Sequence, residues 1–290
     1  MATPQDGIER DVVVDGLRLH TRRRPGTTDT PLLLIHGIGG SMESWTPLLE
    51  RLPDREVVMI DCPGVGRSER PRFPIRMPRI ADLLVGALDE LGVTRADVLG
   101  FSLGGVVAQE IAHRHPARVR RLVLVATICG LWVRPAGLTV QRALLSTERY
   151  RSREAAAREI PILAGGRTAR DPDVLAAILA DREGHPPSRL GYHFQQLAVL
   201  GWTSAPWLPR LRQQTLVLHG GEDPVVRVPN ARLMAFLLRN ATMEVVPGAG
   251  HMLLFDEPDK AAPILETFLA STPADVGHPL GDVDRARPAP

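Results

Sequence analysis

A series of short aliphatic runs leaves this 290-residue chain few ways to fold. Leu32–His36, Val57–Asp61, Val98–Phe101, Leu122–Ala126, Thr215–His219 and Met243–Val246 are each apolar without polar alternation, and the first two stop at a glycine or a proline-glycine turn. Runs of that length and pattern suit strands buried on both faces, as in a parallel sheet. Between them lie helical stripes. Pro78–Leu91 carries Ile80, Leu83, Leu84, Ala87, Leu88 and Leu91 on one side, and Leu103–His115, Val226–Leu238 and Pro258–Leu269 repeat the theme. Strand and helix in alternation predict a mostly parallel, doubly wound α/β sheet. Val12–Val14 and Leu17–Thr21 flank Asp15-Gly16, a hairpin signal at the start.

The rhythm breaks from Leu131 to Pro209. Helical segments such as Ser152–Leu163 and Pro172–Arg182 occur there without a buried strand, along with Trp132, Trp202, Trp207 and both tyrosines. The expected organisation is a core of residues 10–130 and 210–270, a mostly helical cap over 131–209, and a disordered tail over 271–290, where Pro, Gly, Ala and Asp leave little to bury.

Composition narrows the function. Hydrophobic residues make up 44% and charged residues 23%, as in ordinary globular proteins. Net charge is +2, with Lys260 the only lysine, which gives no case for nucleic acid as a partner. No apolar run is long enough for a membrane span. The polar stretch Met1–Asp11 lacks an apolar secretory segment, so cytoplasmic localisation is expected. Cys62 and Cys129 cannot make a disulfide framework, and no metal-ligand spacing is present.

The strongest local motif is Gly100-Phe101-Ser102-Leu103-Gly104-Gly105, between an expected strand and an expected helix. That is the setting of a G-x-S-x-G nucleophile elbow, where flanking glycines allow a sharp turn that thrusts the serine hydroxyl outward. A serine hydroxyl needs a base. Among the nine histidines, His251 stands in the glycine-rich loop Pro247-Gly248-Ala249-Gly250-His251 directly after the last expected strand, at the same sheet edge as the elbow. The base needs an orienting carboxylate, and Asp223 follows the Thr215–His219 run, with Glu222 and Asp256 as rivals. The order Ser102, Asp223, His251 is the one expected of an α/β-hydrolase. An oxyanion needs two N–H donors. Leu103 offers one, and Ile38, in His36-Gly37-Ile38-Gly39-Gly40, the other. That glycine loop lacks the third glycine of a dinucleotide fingerprint and the lysine of a phosphate loop, so no cofactor is expected.

With these residues in place, the chain resembles α/β-hydrolases over residues 10–270. More narrowly it is similar to the intracellular medium-chain-length poly(3-hydroxyalkanoate) depolymerases. The matching stretches are Val14-Asp15-Gly16, Gly37-Ile38-Gly39, Asp61-Cys62-Pro63-Gly64-Val65-Gly66, Leu200-Gly201-Trp202-Thr203-Ser204, Trp207-Leu208, and Gln214-Thr215-Leu216-Val217-Leu218 leading to Asp223-Pro224. The resemblance implies Ser102 as nucleophile, Asp223 as orienting acid, His251 as base and an aliphatic ester, polymeric or small, as substrate. It makes a hydrophobic granule surface a possible partner. Leu103 stands where that family has Trp and His36 where it has Asn, so a smaller ester is the alternative. A C–C bond hydrolase, or a ligand-binding receptor on the same fold, are further readings. The cap should choose the substrate, with Trp132, Leu138, Leu200 and Trp202, beside Leu131, Val133 and Leu197, as candidates to line an acyl pocket.

Overall fold

The computed structural model describes residues 7–131, 133–181 and 187–271. Eight strands form one sheet: β1 Ile8–Val14, β2 Leu17–Arg24, β3 Leu32–Ile35, β4 Val57–Ile60, β5 Ala96–Phe101, β6 Val119–Val125, β7 Gln214–Gly220 and β8 Ala241–Val246. Their spatial order is β1-β2-β4-β3-β5-β6-β7-β8. The first two pairings in that order, β1 with β2 and β2 with β4, are antiparallel, and the rest are parallel.

The aliphatic runs are continuous because both sheet faces are covered. Side chains alternate across a strand. Leu33 and Ile35 of β3, Val98 of β5, and Leu122 and Leu124 of β6 enter one core with helices α2 (Met77–Glu90), α3 (Leu103–Arg114) and α9 (Val228–Leu237). Their neighbours Leu32, Leu34, Leu99, Val123 and Val125 enter a second core with α1 (Thr46–Leu49), α10 (Leu253–Asp256) and α11 (Pro258–Ala270).

The first hairpin turns at Asp15 (φ 49°) and Gly16 (φ 78°), the two positive φ angles that an Asp-Gly turn of the tight hairpin type requires. Its strands extend beyond the expected segments, from Ile8 and to Arg24. Apart from Ile8, the additional residues are charged. Arg22 pairs with Glu9, and His20 Nδ1 lies 2.7 Å from Asp11 Oδ1. Cross-strand ions on its outer side join buried Val12 and Leu19 on its inner side in holding this edge.

Among the described residues between β6 and β7 there is no strand. Helices α4 (Leu138–Leu145), α5 (Arg153–Ala164), α6 (Gly166–Arg170), α7 (Pro172–Asp181) and α8 (Arg189–Val199) fill the insertion. Ser152 and Ser188 cap α5 and α8, accepting hydrogen bonds from the Ala155 and Gly191 amides. The far end of the insertion is fastened beneath the sheet edge. Trp202 Nε1 donates to Glu110 Oε1 of α3 at 2.6 Å, and Ser204 Oγ donates to Gln109 Oε1 at 2.6 Å. Both cysteine thiols are buried and free. The expected tail, 271–290, falls outside the described residues beyond Ser271.

Candidate active site

β5 and α3 meet at Ser102, whose backbone (φ 52°, ψ −116°) lies in a region that non-glycine residues rarely occupy. The glycines around it are there for space. A Cβ on Gly100 would lie 2.3 Å from the Gly104 carbonyl oxygen, and one on Gly104 would lie 2.0 Å from the Ile35 carbonyl oxygen. Only bare backbone lets α3 start this close to β3 and β5. The ladder is unbroken at the turn, since the Ser102 amide donates to Val125 O at 2.9 Å.

His251 arrives from the loop after β8. Its amide donates to Ala164 O at 2.6 Å, which ties the loop to the end of α5, and its ring packs against Phe101 with centroids 5.2 Å apart. His251 Nε2 stands 3.1 Å from Ser102 Oγ, and Nδ1 stands 2.8 Å from Asp223 Oδ2. An imidazole that donates from Nδ1 to a carboxylate leaves Nε2 free to accept the serine proton. Asp223 divides its oxygens. Oδ1 accepts the Val225 and Val226 amides at 2.8 and 2.9 Å, which fixes the carboxylate plane, and Oδ2 faces the imidazole. The rivals are engaged elsewhere. Glu222 pairs with Arg170, and Asp256 Oδ2 accepts from Thr168 Oγ1 at 2.7 Å.

A second histidine, which sequence reasoning passed over, backs the acid. His219, one residue before the end of β7, is fully buried. Its Nε2 donates to Val226 O at 2.6 Å and lies 3.6 Å from Asp223 Oδ2. Burial holds this imidazole below the usual histidine range despite the carboxylate beside it. Neutral His219 therefore clamps the turn that supplies the two amides to Asp223. A polar residue inside an aliphatic run, four residues before the acid, was the available signal.

The two candidate oxyanion donors flank the serine. Leu103 opens α3, so its amide has no partner within the helix. Ile38 follows β3 in a turn closed by the Gly40 amide donating to Gly37 O at 3.1 Å.

Ser102, His251, Phe101 and His36 line a cavity of about 80 Å³. Its apolar wall is Ile38, Leu144, Ile160, Leu163, Val225 and Met252, with Arg149 and Tyr150 as the polar wall. The insertion thus covers the serine, but through side chains other than those expected. Leu138 is 71% exposed and Leu200 66% exposed, while Leu131, Val133 and Leu197 also face outward. Trp202 packs on α3, away from the cavity. Trp132 lies outside the described residues. The walls come instead from α4, α5 and the turn around Tyr150. Arg149 is committed to the insertion itself, donating to Ala143 O and Ser146 O at 2.7 and 2.6 Å and to Tyr192 Oη.

Sheet order, serine turn and acid loop define an α/β-hydrolase, and a family profile described as alpha/beta hydrolase fold matches residues 30–258. The chain belongs to that family. It is 39% identical over 268 residues, 92% of its own length and 94% of the relative's, to a poly(3-hydroxyalkanoate) depolymerase of Ectopseudomonas oleovorans. It is 28% identical to a 2-hydroxymuconate semialdehyde hydrolase of Pseudomonas sp. strain CF600, covering 94% of this chain and 99% of the relative. A solved hydrolase from Pseudomonas aeruginosa superposes with a TM-score of 0.76 at 28% identity, covering 91% of this chain and 99% of that one.

Proposed function

We propose that this protein is a serine hydrolase that cleaves aliphatic carboxylic esters through an acyl-enzyme, with poly(3-hydroxyalkanoate) chains or their oligomers as substrate. The observation that carries this reading is the relay from Ser102 Oγ through His251 to Asp223, with distances of 3.1 and 2.8 Å, opening into an aliphatic cavity. The likeness to the depolymerase supplies the substrate class.

In this mechanism His251 Nε2 takes the hydroxyl proton as Ser102 Oγ attacks the ester carbonyl carbon. The carbonyl π electrons move to oxygen, where the Ile38 and Leu103 amides receive the charge. A donor of this kind is worth about 2.7–4 kcal/mol in the transition state. Collapse breaks the bond to the alcohol oxygen, which leaves with the proton from His251. Water, deprotonated by His251, then attacks the acyl carbon and frees the acid and Ser102.

The cavity bears on how a polymer could enter. At about 80 Å³ it is about half the size of a ~150 Å³ apolar cavity known to take up a single benzene. We assign residues 131–209 as a cap that must shift before a medium-length acyl chain can seat. Exposed Leu138, Leu145 and Leu200 on that cap suit contact with an apolar granule. On this reading the substrate is met in the cytoplasm. The small cavity also favours a second reading, an esterase for short acyl groups. Carbon–carbon bond cleavage of a keto acid is less well served, since Arg149, the cation in the cavity wall, already serves two carbonyls.

The test is a panel of acetyl, butyryl and octanoyl p-nitrophenyl esters beside medium-chain polyhydroxyalkanoate latex, with Ser102→Ala as blank. Latex clearing and rates that climb with chain length, by ~0.8 kcal/mol per buried CH₂ at most, are expected. Ester turnover without clearing reduces the reading to a short-chain esterase. Turnover undiminished in Ser102→Ala overturns both.

A further inference from the structure

The loop that carries the Ile38 amide is gripped from the insertion. The Gly39 amide donates to Gln195 Oε1 of α8 at 2.8 Å, a bond between residues 156 apart in sequence. Gln195 is 3% exposed. On the other side of the same peptide, Tyr150 Oη lies 3.5 Å from Ile38 O. The fit is close enough that a Cβ on Gly39 would lie 2.4 Å from that hydroxyl and 2.9 Å from Tyr192. Gly39 has φ +68°, so the loop holds a conformation that local preference alone leaves loosely determined.

We propose that Gln195 is a positioning residue that sets the oxyanion site, so that the site is complete only while α8 is seated. The inference rests on the ester-hydrolase reading above. Holding the Ile38–Gly39 peptide plane fixes ψ of Ile38 and so limits how the preceding peptide, which carries the Ile38 N–H donor aimed at the developing charge, can turn. Gln195 touches neither substrate nor Ser102. By occupying the Gly39 amide it keeps that N–H turned away and leaves Ile38 to face the carbonyl oxygen. Movement of the cap to admit substrate breaks the tether, and closure over the acyl chain restores it. Donor alignment is thereby coupled to occupancy.

The experiment uses the full chain with Gln195→Leu and Gln195→Met, which keep bulk but lack an acceptor. Gln196→Leu is the control. Gln196 lies on the same helix and its Nε2 donates to Leu144 O at 3.0 Å, so its substitution removes one bond within the cap and none to the loop. Turnover of p-nitrophenyl butyrate is read beside inhibition by an aliphatic trifluoromethyl ketone, whose adduct with serine carries the tetrahedral oxyanion. Both Gln195 variants should lose about tenfold to hundredfold in kcat and in ketone affinity. KM should change by less than about threefold, and Gln196→Leu should stay near wild type in every parameter. Undiminished ketone affinity in a folded Gln195 variant overturns the proposal, as does an equal loss in Gln196→Leu. Should neither variant fold, NMR exchange of the Gly39 amide in the wild-type chain decides, where slow exchange supports the tether and free exchange overturns it. Wild-type protein that neither turns over ester nor binds the ketone, yet protects the Gly39 amide, would instead remove the ester-hydrolase reading and leave the tether standing.

Discussion

Asp223→Asn should silence the enzyme while barely changing its stability, and the two carboxylate oxygens show why. Asp223 Oδ1 accepts two amides, from Val225 and Val226, and Oδ2 accepts from His251 Nδ1. An asparagine can place its carbonyl in only one of those positions. With the carbonyl toward the imidazole, its NH₂ faces two buried N–H donors, leaving both without an acceptor. At ~1–3 kcal/mol for each, that orientation lies about 2–6 kcal/mol above the alternative. The preferred rotamer keeps both amides bonded and turns its NH₂ toward His251 Nδ1. The imidazole then carries its proton on Nε2, facing Ser102 Oγ, and no base remains. At ~1.4 kcal/mol per decade, the productive rotamer is depleted about 30-fold to 10⁴-fold. The roughly 10⁴-fold loss seen when a serine protease loses the same tautomer control lies within that range. The assay is kcat for a p-nitrophenyl ester from pH 6 to 9, beside a thermal melt. Because both amide bonds survive, the melting temperature should stay close to wild type. A variant that melts like wild type and keeps more than about a tenth of its kcat would refute this assignment of the two oxygens.

Other perturbations separate structural from functional residues. Trp202→Phe removes the donor to buried Glu110 and should lower stability by ~1–3 kcal/mol, read as a shifted urea midpoint. The chain-length profile for esters should stay unchanged, and an altered profile would return Trp202 to the acyl pocket. Asp61, buried beside the Met42 and Arg67 amides that it accepts, is pushed up to about 6 by burial. The folded state therefore holds this proton more tightly than the unfolded chain, whose carboxyl has the usual 3.8, and stability falls as pH rises between those values. The loss is ~3 kcal/mol, complete by about pH 6 to 7. In Asp61→Asn that part of the pH dependence should vanish from the difference between urea midpoints at pH 4 and pH 7, and an unchanged difference would show that Asp61 does not titrate there.

Burial on both faces is what made the central sheet readable. β3 to β7 sit between two apolar layers, so their aliphatic runs carry the fold in the sequence itself. The edge hairpin was readable at its turn and at Val12–Val14 and Leu17–Thr21 but not at its outer ends, where Glu9, Arg22 and Arg23 form ion pairs that resemble surface composition. The serine turn was equally legible, since a G-x-S-x-G between strand and helix specifies a sharp turn in five consecutive residues. Asp223 and His251 could be placed at one sheet edge because each follows a strand whose direction was already known. Their separation, and the choice of Asp223 over Glu222, depended on loop geometry that spacing does not encode.

Which side chains of the insertion line the cavity was not legible, for a physical reason. Its helices are short and carry apolar residues on more than one side, and hydrophobicity alone assigns each residue to some interior without saying which. Leu138 and Leu145 lie exposed on the same helix that turns Leu144 to the cavity. The residues that hydrogen-bond the insertion to the loop after β3 are polar or aromatic: Tyr150 and Gln195. In a helical stripe such residues read as a solvated face, and their partners, the Ile38 carbonyl and the Gly39 amide, are backbone groups far along the chain. A side chain that recognises a distant peptide group leaves no periodicity of its own. Where a loop contributes an amide to catalysis, the side chain that orients that amide has to be sought in the folded contacts, on whichever element closes over the loop.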